Sequence, residues 1–289
     1  MERIDFHEQI SRNKLKSFFL MAVIFSTIVL FGYFISFAFE PAFFFIIMSI
    51  SVIFSMSYLL FSYYNSGKIA IASVGAKKAD RGRYKQYYDL VEGLTIASGL
   101  PIPQLYIMES PQINAFASGR NPENAVVCIT TGCFEKLDKT ELEGVLSHEL
   151  SHVANYDIRY MTLVAVMVGM IAIASEIFLR SLWFKSDGEN KHIALIVIGI
   201  LLAILAPIVV QLVQMAISRK REFMADASGV KFTRYPQGLI GALKKIQKEN
   251  TPERKISKAV APLFFSNPFR NMASTHPPLG ERIKILESM

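Results

Sequence analysis

The sequence predicts an integral membrane α-helical protein that carries a cytoplasmic α+β domain, with four transmembrane helices in two hairpins. Three observations predict it. Apolar residues fill 52% of the 289 positions, phenylalanine alone supplies 22, and the mean hydropathy is positive. Soluble chains of this length rarely have that composition. The apolar excess is concentrated in four runs, and only two of the 31 basic residues stand in the connections inside the pairs of runs.

A bilayer core about 30 Å thick needs about 20 residues of helix. Residues 17–39 and 42–64 carry no charge and are separated by Glu40-Pro41. Residues 193–217 are apolar, with Gln211 and Gln214 near their end. Residues 161–184 carry Glu176 and Arg180, which can pair on one helix face or snorkel from its outer end. The first run is too long for a cleaved signal peptide, and a second span follows it. Of the 31 Lys and Arg, residues 1–16 hold four, 65–160 hold ten and 218–289 hold fourteen. By the positive-inside rule both termini and both polar segments face the cytoplasm. The expected division is a lead-in with the first hairpin (1–66), one half of a cytoplasmic domain (67–160), the second hairpin (161–217) and the other half (218–289). Together the two halves are long enough for one domain core.

The net charge of +7 then reports topology. The basic residues are dispersed and no nucleic-acid motif is present, so no nucleic-acid partner is expected. Cys128 and Cys133 do not form C-x-x-C and read as reduced and structural. His7 and His192 read as surface residues.

Within the first polar segment, residues 79–98 read as a helix with Tyr87, Leu90, Val91 and Leu94 on one face, ended by Gly99 and the prolines at 101 and 103. Residues 105–108 and 125–130 read as strands, and 115–117 as a short extended piece. Thr140 and Glu143 resemble a capping box that opens the next helix.

That helix contains His148-Glu149-Leu150-Ser151-His152, an H-E-x-x-H pattern. Histidines four apart share one helix face and can take two corners of a tetrahedral zinc site. Glu149 follows the first ligand, where its carboxylate can exchange a proton with a water on the metal. This is the minimum apparatus of a zinc-dependent peptide hydrolase. A third ligand is needed. A histidine six residues after the second is excluded, because Ile158 stands there. A later glutamate is the other solution. In Ser218-Arg219-Lys220-Arg221-Glu222-Phe223-Met224-Ala225-Asp226, Glu222 can bind the metal, and Asp226, four residues on, can accept the second N–H of a ligand histidine. The bland alternative is that Glu222 and Asp226 are solvated charges paired with Arg219 or Arg221.

Here the chain resembles the HtpX family of bacterial membrane metalloproteases, distant relatives of the CAAX prenyl proteases. The matching pieces are Asn114-Ala115-Phe116-Ala117, the H-E-x-x-H with Asp157, Ser218 through Asp226, and Ser274-Thr275-His276-Pro277-Pro278, with the four runs in the family's places. The resemblance implies a zincin-like fold for the α+β domain and one zinc per chain. It also implies a bacterial inner-membrane endopeptidase for protein quality control under stress. Its partners would be misfolded or damaged membrane proteins as substrates and the surrounding lipid, with overlap with other membrane proteases.

The resemblance places His276 near the active site, as a candidate oxyanion donor or as a loop histidine holding a proline-rich turn. Asn114, Ala115, Phe116 and Ala117 are a candidate substrate-pairing edge, or an ordinary strand with its edge covered. Asp157 is expected either to pair with an arginine near the second motif or to serve the helix end. A prenyl-protease-like processing enzyme and a non-catalytic zinc scaffold are the competing functions. Four spans speak against the first and an intact Glu149 against the second. His152 stands about eight residues before the third run, roughly 12 Å at helical rise. If the helix continues, the metal lies just beneath the membrane surface.

Overall fold

The computed structural model describes residues 6–36, 41–167, 169, 199–200, 219–249, 264–265 and 277–289. Two apolar helices come first, α1 (Phe6–Ser36) and α2 (Phe44–Tyr64), packed against each other as a hairpin. Their segments Asn13–Tyr33 and Pro41–Tyr64 are each long and apolar enough to cross a membrane. The outer face of α2 exposes Phe45, Ile50, Ile53, Phe54 and Phe61. A continuous apolar face of this size suits lipid rather than water. On the inner side of the hairpin, Leu20 and Ile24 of α1 and Leu59 of α2 cluster with Tyr160, Leu163, Val164 and Met167. These last residues belong to a helical stretch, 157–167, that contains the start of the third apolar run. Most of that run, with Glu176 and Arg180, and nearly all of the fourth lie outside the described residues.

After α3 (Ser66–Ser73) the chain forms a four-stranded sheet with α4 (Lys85–Ser98) packed on it. The strands are β1 (Lys77–Lys78), β2 (Gln104–Met108), β3 (Ala115–Ser118) and β4 (Val126–Thr130), in the order β1-β2-β4-β3. β2 and β4 are parallel, and the other pairs are antiparallel. β3 is therefore an edge, in register with β4 through Phe116↔Cys128. Helix α4 buries Tyr87, Leu90, Val91 and Leu94, and Gly99 ends it at φ +71°, where a side chain would be strained. It starts at Lys85, six residues later than its composition suggests. Ala79 still donates its N–H to the Leu105 carbonyl, extending β1, and the Asp80 carboxylate accepts from the Arg83 N–H in a turn. Cys128 on β4 and Cys133 on α5 (Thr131–Lys136) are buried free thiols, and burial pushes both pKa values upward.

Helix α6 (Lys139–Ala154) lies between the sheet on one side and α7 (Arg219–Thr233) and α8 (Pro236–Glu249) on the other. A last helix, α9 (Leu279–Glu287), packs on α8. The capping box of α6 is formed by Asp138 and Glu141, not by Thr140 and Glu143. The Asp138 carboxylate accepts from Glu141 N–H and the Glu141 carboxylate from Asp138 N–H, both at 2.9 Å. Thr140 already lies inside the first turn, where its hydroxyl donates to Asp138 at 2.7 Å. On α7, a Cβ at Gly229 would stand 2.9 Å from Ser147 Oγ and 3.1 Å from the His148 nitrogen, so the helices touch where the H-E-x-x-H begins.

Helix α6 does not run straight into the third apolar run. It ends at Ala154, Tyr156 takes φ +58°, and helix resumes at 157. The break is held from α1, whose Asn13 donates to the Asn155 carbonyl and whose Lys14 lies 4.6 Å from the Tyr156 ring centre.

The Thr140 hydroxyl and the Glu141 N–H hold the Asp138 carboxyl below the ordinary aspartate range. Its folded value is below its unfolded one, so the stabilisation exists above about pH 4 and fades as pH falls through the folded value. Asp138→Ala is expected to lower unfolding free energy by about 1 kcal/mol at neutral pH. In denaturant titrations the gap between wild type and variant should narrow below about pH 4.

Candidate metal centre

His148 and His152 project from one face of α6, a turn apart, and α7 brings Glu222 up to them. All three are buried, at 0%, 6% and 2% exposure. The two Nε2 atoms are 3.2 Å apart. Glu222 Oε2 is 3.7 Å from His148 Nε2, and Oε1 is 3.6 Å from His152 Nε2. Ligand atoms about 2.0–2.2 Å from one tetrahedral zinc lie about 3.3–3.6 Å from each other. The donor set, two imidazoles and a carboxylate, also suits zinc. The residues fit the ion.

The outer nitrogens explain why the inner ones face each other. His148 Nδ1 is 2.8 Å from Asp226 Oδ1, and His152 Nδ1 is 3.1 Å from Asp157 Oδ2. Each carboxylate takes an Nδ1–H, which turns the Nε2 lone pair inward. Only a proton or a cation between two such nitrogens makes a 3.2 Å approach favourable. Burial and the Arg282 guanidinium push His148 down to about 4, against Asp226. Burial also opposes the charge on His152, but Asp157, Glu222 and Glu149 outweigh it and raise that imidazole to about 9. The surroundings thus favour positive charge at His152 and disfavour it at His148, in a site whose carboxylates suit a cation.

Arg282 closes the network from α9. It is fully buried, donating from Nε to Asp226 Oδ2 at 2.9 Å and from one amino nitrogen to Oδ1 at 2.6 Å. This is the bidentate fork that arginine offers a carboxylate. Burial alone would raise Asp226; Arg282 and His148 reverse that and hold it below the usual range. Its other amino nitrogen lies 3.7 Å from Glu222.

Glu149 is 2% exposed and accepts a hydrogen bond from the Ala117 backbone on β3. Burial lifts its carboxyl to about 7, with His152 pulling it down and Glu222 pushing it up. Of the candidate substrate edge, Asn114, Ala115, Phe116 and Ala117 are all buried. The Ala115 carbonyl accepts the Phe265 N–H at 2.8 Å, and Phe116 forms an antiparallel bridge with Phe264. The Phe265 ring packs edge-on to His148, with Arg282 4.7 Å from its centre.

The structure thus brings together His148, Glu149, His152, Glu222, Asp226 and Asp157, with Ala117 in contact. Arg221, 3.9 Å from Asp157, supplies an arginine beside that carboxylate as well. His276 and His192 lie outside the described residues. Sequence reasoning missed Arg282, Asn13 and Phe265. Arg282 left one signal, since it shares the apolar face of Leu279, Ile283 and Leu286. Asn13 left another, as an amide at the threshold of an apolar run.

Two variants separate the network's roles. Asp226→Asn is expected to weaken zinc affinity by about 10–100-fold in chelator competition. Arg282→Met leaves a buried carboxylate without its cation and is expected to destabilise the protein by about 3–5 kcal/mol in denaturant unfolding.

Residues 83–289 match the profile of peptidase family M48. A Protease HtpX homolog of Caldanaerobacter subterraneus subsp. tengcongensis is 44% identical over 82% of this chain and 83% of its own length. One from Dictyoglomus turgidum is 39% identical over 100% of this chain and 96% of its own. One from Tropheryma whipplei (strain Twist) is 40% identical over 97% of each. The crystal structure of S. mikatae Ste24p superposes with a TM-score of 0.52 at 19% identity, covering 96% of this chain, which spans 66% of that one. That likeness is one of fold. The family match over most of the chain, and relatives similar along nearly their whole lengths, establish that this chain belongs to peptidase family M48.

Proposed function

We propose that the chain is a zinc-dependent endopeptidase of a bacterial cytoplasmic membrane that cuts misfolded or damaged membrane proteins at cytoplasmic segments. The observation that carries this is the buried triangle of His148 Nε2, His152 Nε2 and a Glu222 carboxylate, with sides of 3.2–3.7 Å and Glu149 on the same helix turn. The HtpX homologs are named as proteases, which supports peptide hydrolysis. The two long apolar helices support membrane attachment. The skew of basic residues supports a cytoplasmic placement of the site.

His148, His152 and Glu222 would hold the zinc. When bound, the ion supplies a Lewis acid for the scissile carbonyl and makes water a nucleophile near neutral pH. Everything else falls to side chains of this chain. Asp226 and Asp157 fix the tautomers of the two histidines and resist their rotation. Glu149, held near 7, can accept a proton from the attacking water and return it to the leaving amine at physiological pH. The Ala117 N–H steadies the Glu149 carboxylate between the two transfers. The outward backbone of β3 can pair with an extended substrate, giving affinity without sequence demand. Substrate pairing there requires release of the bonds that edge already makes, from the Phe265 N–H to the Ala115 carbonyl and from the Ala117 N–H to Glu149, and of the Phe116–Phe264 bridge.

Cleavage of an unfolded protein such as casein, by protein purified in detergent without metal and then given zinc, tests the reading. Glu149→Gln should lose about 10²–10⁴-fold in turnover while keeping its zinc. Glu222→Ala should lose the zinc itself. Undiminished cleavage by the first variant, or one tightly held zinc per chain in the second, would contradict the assignment.

A further inference from the structure

The geometry points to Asn13, at the threshold of the first apolar helix, as a positioning residue for the metal centre, acting through Asp157 on His152. The inference rests on the reading that His148, His152 and Glu222 hold a metal. Asn13 opens the apolar segment Asn13–Tyr33 and is only 3% exposed. A buried amide costs about 1–3 kcal/mol unless it finds partners. Its partners are not lipid-facing neighbours. Nδ2 donates to Asp157 Oδ1 at 2.8 Å and to the Asn155 carbonyl at 3.0 Å. The other oxygen of the same carboxylate takes the His152 Nδ1–H at 3.1 Å. Two hydrogen bonds therefore join the first membrane helix to a candidate ligand.

The bonds constrain different things. The bond to Asn155 holds the turn in which α6 ends, where Tyr156 adopts its positive φ. The bond to Asp157 sets the carboxylate's rotation. Asp157 is fully buried, and its Oδ1 also has Arg221 at 3.9 Å. Without the Asn13 amide the carboxylate would turn toward that guanidinium, and Oδ2 would leave the line of the His152 N–H. His152 would keep its place in the sequence of the helix and lose its ring orientation. The membrane hairpin, in this account, is part of the metal centre as well as its anchor.

The test is a double-mutant cycle on the full-length chain in detergent, read as zinc affinity by competition with a chromogenic chelator. Asn13→Ala should bind zinc about 10–100-fold more weakly than wild type. In an Asp157→Asn background the same substitution should change affinity by less than about twofold, because its route to His152 is already cut. Ser17→Ala, one turn along and bonded to the Asn13 carbonyl, should keep wild-type affinity. Asn13→Ser carries the test if the alanine variant does not purify folded. An unchanged affinity in Asn13→Ala overturns the proposal, as does full additivity with Asp157→Asn, or an equal loss in Ser17→Ala. A wild-type chain that binds no zinc overturns the metal reading and this proposal with it.

Discussion

Two carboxylate–imidazole bonds, Asp226 to His148 and Asp157 to His152, govern the arrangement of this protein. A histidine on a helix can rotate, and either ring nitrogen can carry its proton. Each carboxylate removes both freedoms by taking the Nδ1–H. The two Nε2 lone pairs are left 3.2 Å apart beside a glutamate, in a site with almost no exposure to water. Such an assembly of acceptors is costly to bury and becomes favourable when a cation sits among them. The metal centre and the fold are therefore coupled: the cation that would complete the chemistry would also relieve the burial.

The supporting structure serves the same end. Gly229 lets α7 approach α6 at His148, and the Ser151 hydroxyl lies within 3.0 Å of the Ala225 carbonyl across that contact. Arg282, from near the C-terminus, forks onto Asp226 and shares its Oδ1 with the His148 Nδ1–H, so that the carboxylate is held between the two. Asn13 does a comparable service for Asp157 from the opposite end of the chain. Each carboxylate that orients a histidine is thus itself oriented by a residue distant in sequence. Any motion that separates α1 or α9 from the centre would loosen a candidate ligand.

How much of this is legible in the sequence depends on range. His148, Glu149 and His152 are tied by helical spacing, and Glu222 and Asp226 by the same spacing on a second helix. The apolar character of α1 and α2 needs only composition. The capping box is ambiguous in sequence because Asp138 with Glu141 and Thr140 with Glu143 both fit the pattern, and only the backbone shows which pair stands at the helix start. β1 has two residues, too few for any periodicity. That Asp226 selects His148 depends on how α7 crosses α6, which local sequence does not encode, whereas Asp157 reaches His152 from only five residues on. Arg282 lies 134 residues from His148, and Asn13 lies 144 from Asp157, so no local pattern joins them. Asp157 has two readings in sequence, an arginine partner or a helix-end role. Its contacts with His152, Asn13 and Arg221 show a carboxylate shared among three elements.

X-ray absorption at the zinc edge, on purified protein loaded with one equivalent, tests the central claim most directly. The account predicts low-atomic-number scatterers at about 2.0–2.2 Å, with the multiple-scattering signature of two imidazoles and no sulfur. Sulfur at about 2.3 Å, which would implicate Cys128 or Cys133, or a shell without imidazole, would contradict it.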